Sequence, residues 1–319
     1  MSNPWSGIEK PSSEFNVRLV AERHPIRLYW GVDSRGHYLY VIDVAEAAMP
    51  ARGALPDLEG IKIASAIQNG RGKIVLLLNE TSNWELFHAL CNDLTSASAN
   101  IPDEIAAVAV VLRRLQRWQE FLRRARSPVL PLEEIKGLIG ELLFLEDPVA
   151  TRFGWDAAVG FWKGPEDAPQ DFAVHETAVE VKCQSGSSKP SVRISSVEQL
   201  NPQLPRGFLV VQTLATAEED TEGSFTLNSL TERIRTVLQG ASVAALERYE
   251  SLLFSAGYLR HEYYDELIFQ RVATSCYRIS EGFPRLLPSD IRPGIQKVTY
   301  LLELEACAPF ASNLNFEGP

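Results

Sequence analysis

Residues 171–183 read DFAVHETAVEVKC, and the spacing of three charged residues within them decides how the chain is read. In an extended strand, residues i and i+2 share a face. Across 178–183, Glu180 and Lys182 therefore project together, while Val179, Val181 and Cys183 project to the other side. Asp171 opens a second short apolar run, Asp-Phe-Ala-Val. The intervening His175-Glu176-Thr177 is short enough for a hairpin, which brings Asp171 to the Glu180/Lys182 face. The same pair also has a plainer reading, a solvated ion pair of little energetic consequence.

The flanking segments bear on that choice. PLEEIKGLIGELLFL, residues 131–145, begins with a proline suited to a first helical turn and with Glu133 and Glu134 at the positive helix end. Beyond Lys136 it is apolar on nearly every side, as a buried helix is. Glu141 sits in its middle, and a buried carboxylate needs a partner, a metal or a raised pKa. The alternative is that Glu141 points out through a gap or pairs with an arginine. Gly137 and Gly140 permit close approach of another backbone. On the other side, Ser195 or Ser196 is a candidate N-cap for a helix carrying Gln199, and GFLVVQT, residues 207–213, reads as a fully buried strand.

An acid followed by Glu-x-Lys suits phosphodiester hydrolysis. That reaction at neutral pH needs a divalent metal to neutralise developing charge and to generate a hydroxide nucleophile. Mg²⁺ takes hard oxygen ligands, usually one or two carboxylates, and keeps several waters.

The order of elements is a helix with Glu141, a strand near Ala157–Trp162, a strand with Asp171, a strand with Glu180 and Lys182, a helix with Gln199, and a strand at Phe208–Gln212. It resembles the αβββαβ core of the PD-(D/E)XK nuclease superfamily. GLIGEL, QDF, VEVKC and RISSVEQL, with YRISEGFPRLLP and GIQKVTYLLEL later, resemble one branch, the family catalogued as DUF4420. The motif-bearing resemblance covers 130–215, and a weaker one spans most of the chain. It implies Asp171 and Glu180 as metal ligands, with Lys182 positioning or activating the water. Glu141 would assist the metal site or support it from behind, and Gln199 would lie at the edge near the water or a phosphate. It also implies Mg²⁺ as cofactor, with Mn²⁺ substituting, and a bacterial restriction or phage-defence component. The literal Pro-Asp is absent: Gln170 separates Pro169 from Asp171. Asp167 is a rival acid in a loop-like run, and Asp171 is preferred because it abuts the strand.

The whole chain sets bounds. At 319 residues, two domains or one enlarged domain is expected. No apolar run is long enough to cross a membrane, and the start lacks a secretory pattern. The four cysteines are scattered without CxxC pairing, which suggests neither a zinc site nor a disulfide framework. A cytoplasmic protein is expected.

The net charge of -10 opposes DNA binding, which draws on Lys and Arg. Locally, residues 113–126 carry six arginines against one glutamate. Arg113, Arg117 and Arg124 could track a backbone with Trp118 packed inward, or the helix could be a solvated linker.

The fold class is α/β (α+β), with a restriction-endonuclease-like core. The expected division is an N-terminal α+β domain over 1–100, a basic connecting helix over 101–127, the nuclease-like core over 128–215, and a helical and β extension over 216–319. Strands are expected at Val17–Val20, Ile26–Trp30, His37–Asp43, Ile61–Ile67 and Lys73–Leu78. A helix should open at Thr81 or Ser82, with Ser82-x-x-Glu85 as a capping box. Gly70-Arg71-Gly72-Lys73 lacks the rest of a phosphate loop and reads as a turn. Later, Ser229-x-x-Glu232 reads as a capping box, and Val243–Ala256 as a helix. Tyr258, His261, Tyr263 and Tyr264 form an aromatic cluster suited to core packing or base stacking. Cys276–Ile279 and Lys297–Leu304 read as strands extending a sheet.

These readings converge on a Mg²⁺-dependent DNA endonuclease, the cutting subunit of a bacterial defence system. Its partners would be double-stranded DNA, a defence-system ATPase and methyltransferase, and a second copy in a homodimer. The alternative is a catalytically inactive nuclease fold kept as a DNA- or protein-binding subunit.

Overall fold

The structure, a computed structural model, describes residues 3–51, 53–81, 84–124, 129–166, 168–186, 190–314 and 316; the side chains of Glu120, Arg123 and Arg124 lie outside the description. The chain divides into two compact units, Met1–Pro128 and Val129–Pro319.

The first unit is an antiparallel sheet backed by two helices. Its strands are β1 (Phe15–Leu19), β2 (Arg27–Asp33), β3 (Tyr38–Ala45), β4 (Ile61–Gln68) and β5 (Arg71–Leu78), in the order β1-β2-β3-β5-β4. Strict alternation along β5 buries Ile74, Leu76 and Leu78 on one face. Asn69 (φ 55°) and Gly70 (φ 72°) make the two-residue β4–β5 hairpin, so the glycine-rich run is a turn. Helices α1 (Trp84–Ser98) and α2 (Glu104–Arg124) follow. Ser82, the expected cap of α1, lies outside the described residues. Phe87, Leu90 and Leu94 of α1 and Val111, Leu115 and Trp118 of α2 are fully buried. Trp118 faces inward, and its indole N–H donates to Asp93 at 3.0 Å. The helix expected to connect two domains thus packs within the first unit.

The second unit contains α3 (Leu132–Phe144), α4 (Thr151–Phe153), α5 (Trp155–Phe161), β6 (Phe172–Val174), β7 (Thr177–Ser185), β8 (Ser191–Ile194), β9 (Arg206–Thr216), α6 (Leu227–Ala241), α7 (Val243–Ser255), β10 (Phe269–Ile279), β11 (Tyr300–Glu303) and α8 (Leu304–Cys307). Its sheet runs β10-β9-β7-β6, with β7 and β9 parallel and the other pairs antiparallel. Two layers cover it. On one face, Val179, Val181, Phe208 and Val210 join Ile135, Leu138, Ile139 and Leu142 of α3 and the buried sides of α6 and α7. On the other face, Leu209 and Val211 pack against Val192, Ile194, Leu200, Phe283, Leu302 and Leu304. That second layer is built on the antiparallel β8–β11 ribbon. No described helix is long and apolar enough to cross a membrane.

Four expectations are corrected. Ala157–Trp162 lies in helix α5 and the residue after it, not in a strand. Trp155, Ala158, Val159 and Trp162 all face the core, which is helical spacing, and only Trp162 makes a bridge, to Phe172. Gln199 sits in a single 3₁₀ turn, Val197–Leu200, not in a helix of several turns. The cap of α6 is Thr226: its hydroxyl accepts from the Ser229 N–H at 3.1 Å, and the Ser229 hydroxyl accepts from the Thr226 N–H at 2.8 Å. Ser229 is therefore inside the box that it was expected to open. Finally, β10 does extend the main sheet, while β11 pairs with β8 in a separate ribbon. Tyr258 and Tyr264 are buried, and Tyr258 donates to Asn228 at 2.8 Å, so the aromatic cluster is largely core.

Close packing of α3 on β7 depends on Gly140. A Cβ there would sit 2.5 Å from Cys183 Sγ and 3.4 Å from Val181 Cγ1. Gly140→Ala should lower unfolding free energy by about 1–2 kcal/mol, because overpacking outweighs the helix-propensity gain. In a Cys183→Ala background the blocking sulfur is gone, and the same change should stabilise by up to about 1 kcal/mol. Urea denaturation of the four proteins measures this; an unchanged sign in both backgrounds refutes the contact.

Candidate active site

The β6–β7 hairpin turns through His175 and Glu176, with Val174 opposite Thr177 and Phe172 opposite Val179. His175 takes the left-handed conformation (φ 51°) that such a turn requires. Because β6 is only three residues long, the edge of β7 lies open beyond Val179. Asp171, just ahead of β6, fills that gap. Its Oδ2 accepts the Val181 backbone N–H at 2.7 Å, where a longer strand would have supplied a carbonyl.

Glu180 and Lys182 share the other face, as the two-residue period requires. Lys182 Nζ is 2.6 Å from Glu180 Oε1; the Glu180 side chain has no solvent exposure and that of Lys182 has 16%. Among the described residues, Glu180 Oε2 is buried without a partner. Glu141 approaches from α3, and the Trp162 indole N–H donates to its Oε2 at 2.7 Å.

A short turn draws the acids together. The backbone N–H groups of Lys163 and Gly164 both donate to the Asp171 carbonyl, at 2.7 and 3.0 Å. A Cβ on Gly164 would lie 2.6 Å from Glu141 Oε2 and 2.9 Å from Asp171 Oδ1. Both carboxylates thus converge on a point that only glycine leaves empty.

The electrostatics follow. Burial, and next the Asp171 charge, push both Glu141 and Glu180 well above the ordinary carboxylate range. Burial raises Asp171, against the opposing pull of Lys182. Burial works against the Lys182 ammonium too, but the Glu180 and Asp171 charges outweigh it, so its pKa rises. The lysine stays charged, and the carboxylates compete for it.

Gln199 does not join this group through its side chain. Its Oε1 accepts from the Ser195 N–H at 2.8 Å, and its turn is tied to the site through Gln170, whose amide donates to the Glu198 carbonyl at 2.6 Å. Asp167, the rival acid, lies outside the described residues. On α2, Arg113 is exposed and Arg117 half-buried, while the Arg124 side chain lies outside the description. Arg114, which sequence reasoning left unassigned, lies 3.6 Å from Asp93. Trp162 and Gly164 were also missed. A signal existed for the first: a buried indole N–H needs an acceptor just as a buried carboxylate needs a donor.

Among the described residues, no group of three or more His, Cys, Asp or Glu side chains is arranged to hold a metal ion. Asp171 spends Oδ2 on Val181, and Glu141 spends Oε2 on Trp162. Among the described residues, Glu180 Oε2 has no partner, and the hydrogen bond Asp171 makes through its side chain uses Oδ2, not Oδ1.

A protein-family profile described as "Putative PD-(D/E)XK family member, (DUF4420)" matches residues 1–305, and the chain belongs to that family. No curated protein and no solved structure matches it.

The raised carboxyls set a pH signature. A folded-state pKa above the unfolded one means that the folded protein holds protons the unfolded chain releases. Stability then falls as pH rises from the ordinary carboxylate range through the raised value. Glu180→Gln and Glu141→Gln remove that loss. Each should melt higher than wild type at about pH 8 in chelator, with the gap closing toward about pH 5. A gap independent of pH refutes the assignment.

Proposed function

We propose that this PD-(D/E)XK family member is a Mg²⁺-dependent endonuclease acting on double-stranded DNA, with Mn²⁺ able to substitute. On this reading α3, β6, β7 and β9 are the restriction-endonuclease-like core. Its first strand is reduced to the Trp162–Phe172 bridge and its second helix to the turn at 197–200.

The observation that carries the reading is Glu180, a fully buried carboxylate with one oxygen unfilled. Beside it lie Asp171, whose side-chain hydrogen bond uses Oδ2, not Oδ1, and one lysine. Natural structures rarely leave such an atom unpaired, and a site of two carboxylates and open positions suits Mg²⁺. The donor set is therefore compatible with the ion. Asp171 and Glu180 would hold it, with Glu141 beside them.

A divalent cation there would neutralise charge on the phosphate and activate water at neutral pH. The chain's own residues do the rest. Lys182, buried beside Glu180, would orient or activate the attacking water and face the developing negative charge. Trp162 fixes the Glu141 carboxylate, and the Lys163 and Gly164 N–H groups fix the backbone of Asp171. Each group is held before substrate arrives, which is what positioning contributes to catalysis.

Arg113, Arg117 and Arg124 are proposed to contact the DNA backbone from the first unit. One site cuts one strand, so double-strand cleavage would require a homodimer. A bacterial restriction or phage-defence setting, with an ATPase and a methyltransferase as partners, completes the proposal. A retained fold without catalysis has one observation on its side: the Gln199 side chain is committed to Ser195.

Purified protein should nick or cut plasmid with Mg²⁺ or Mn²⁺. Asp171→Ala and Lys182→Ala should each lose at least about 100-fold in rate while remaining folded at the assay temperature. A Lys182→Ala protein that cuts at the wild-type rate overturns the site. No cutting by wild type, together with no calorimetric binding of Mn²⁺, selects the inactive reading.

Reversing Arg113, Arg117 and Arg124 together to glutamate should weaken duplex binding and flatten its salt dependence by about three in log–log slope. An unchanged slope in a binding titration across salt leaves α2 as a packing helix only.

A further inference from the structure

The turn that gathers the acids also carries a cation facing outward. Lys163 Nζ lies 3.0 Å from Glu166 Oε2, and Arg248 Nη2, from α7, lies 3.0 Å from Glu166 Oε1. One carboxylate is thus shared by two cations, one on each oxygen. The side chains are 33%, 39% and 41% exposed for Lys163, Glu166 and Arg248, so solvent and ligand reach all three. Among the described residues, Arg248 Nε is buried and has no partner.

Their position relative to the acids is fixed by short covalent and hydrogen-bonded links. The Lys163 N–H that holds the Asp171 carbonyl belongs to the same residue as the exposed ammonium. Gly164, next in sequence, stands against Glu141 and Asp171. Glu166 closes the 3₁₀ turn two residues later. Two cations therefore border the acids in the same unit of the chain.

A carboxylate clasped between two cations occupies the place of a phosphate. A phosphodiester offers the same two-oxygen geometry, and an arginine beside a lysine can hold it through charge-assisted hydrogen bonds. Exposed ion pairs contribute little to stability. Exchanging Glu166 for a phosphate therefore costs the protein little. The exchange also addresses the net charge of -10: the cations are masked in the free protein and uncovered where they are needed.

We propose that Lys163 and Arg248 form a phosphate-binding site for the DNA backbone beside the acids, with Glu166 as the counter-ion that the phosphate displaces. The proposal rests on the nuclease reading above and adds the residues by which the second unit itself holds its substrate.

The test uses the full chain, a short DNA duplex, and Ca²⁺ in place of Mg²⁺, titrated across salt. Lys163→Ala/Arg248→Ala should bind at least about 10-fold more weakly and flatten the log–log salt slope by about two, one for each phosphate-facing cation. Glu166→Gln should bind several-fold more tightly. The control is Arg271→Ala/Arg278→Ala on β10, at the opposite edge of the sheet from β6, which removes the same charge. It should leave the slope near that of wild type. Melting curves confirm that all three variants fold. The proposal falls if the Lys163/Arg248 variant keeps the wild-type slope, if the control flattens it equally, or if Glu166→Gln weakens binding. Plasmid cleavage with Mg²⁺ by wild type and Lys182→Ala runs alongside. If wild type cuts and Lys182→Ala does not, any failure in binding is a failure of this proposal alone. A wild type that neither cuts nor binds the duplex removes the nuclease reading and this proposal together.

Discussion

Glu180 lies between a helical layer and a β-ribbon, with one ammonium beside it and one oxygen unfilled. Removing a carboxylate from water on those terms is expensive. A single lysine does not offset it, because Asp171 draws on the same ammonium. The surrounding architecture can be read from that constraint. The β8–β11 ribbon and the loop ahead of β11 cover the Glu180 face, and Leu209 and Val211 beside it make that face apolar on the β9 side. The acid sits where its polar partners must be supplied from outside the sheet.

They are supplied at an edge. A longer β6 would close the β7 ladder beyond Val179 and leave no room for a side chain. By beginning only at Phe172, β6 leaves the Val181 N–H to a carboxylate, and the carboxylate is thereby locked in place. The 162–164 segment then works twice. Its backbone holds Asp171, and its indole holds Glu141. A full strand at that position would have satisfied its N–H groups along a ladder. Collapsed to one bridge, the segment has them free to assemble the site.

That collapse is also where the sequence was least legible. The period-two pattern of 178–183 and the hairpin behind it could be read directly, because burial on both sides of β7 leaves little choice of register. In the first unit the alternation along β5 could be read directly, and Asn69-Gly70 marked its turn. Ala157–Trp162 could not: its short apolar run fits a strand or a buried helical turn equally until the partners of Trp155 and Trp162 are known. The cap at Thr226 was hidden because Thr226 and Ser229 are both good caps, and only the backbone shows which residue starts the helix. Glu141 was visible as an acid in an apolar helix, but its partner Trp162 was not. A side-chain contact across 21 residues leaves no periodic trace. Gln199 was expected at the edge of the site, yet its amide oxygen serves a local turn by accepting from the Ser195 N–H, as short polar segments often require.

Charge balance ties these parts together. The site holds three carboxyl groups and one ammonium, and the ammonium stays protonated. Burial raises the pKa of all three carboxyl groups, and the Asp171 charge raises those of Glu141 and Glu180 further, so taking up protons would ease the deficit. Protons are a poor permanent solution, because a Glu180 protonated on Oε2 would carry a buried O–H with no acceptor among the described residues. A divalent cation meets both needs at once, supplying charge and filling the vacant coordination of Oε2. Metal ligands must be deprotonated, so such an ion and the protons would compete for the same oxygens. The apolar covering over Glu180 sharpens the competition, since low dielectric strengthens every uncompensated charge. A sheet face designed only for packing has no use for such an acid: a leucine at 180, matching Leu209 beside it, would extend the core without cost. That a carboxylate stands there instead, with its neighbours arranged to converge on it, is the physical argument for chemistry at this edge of the fold.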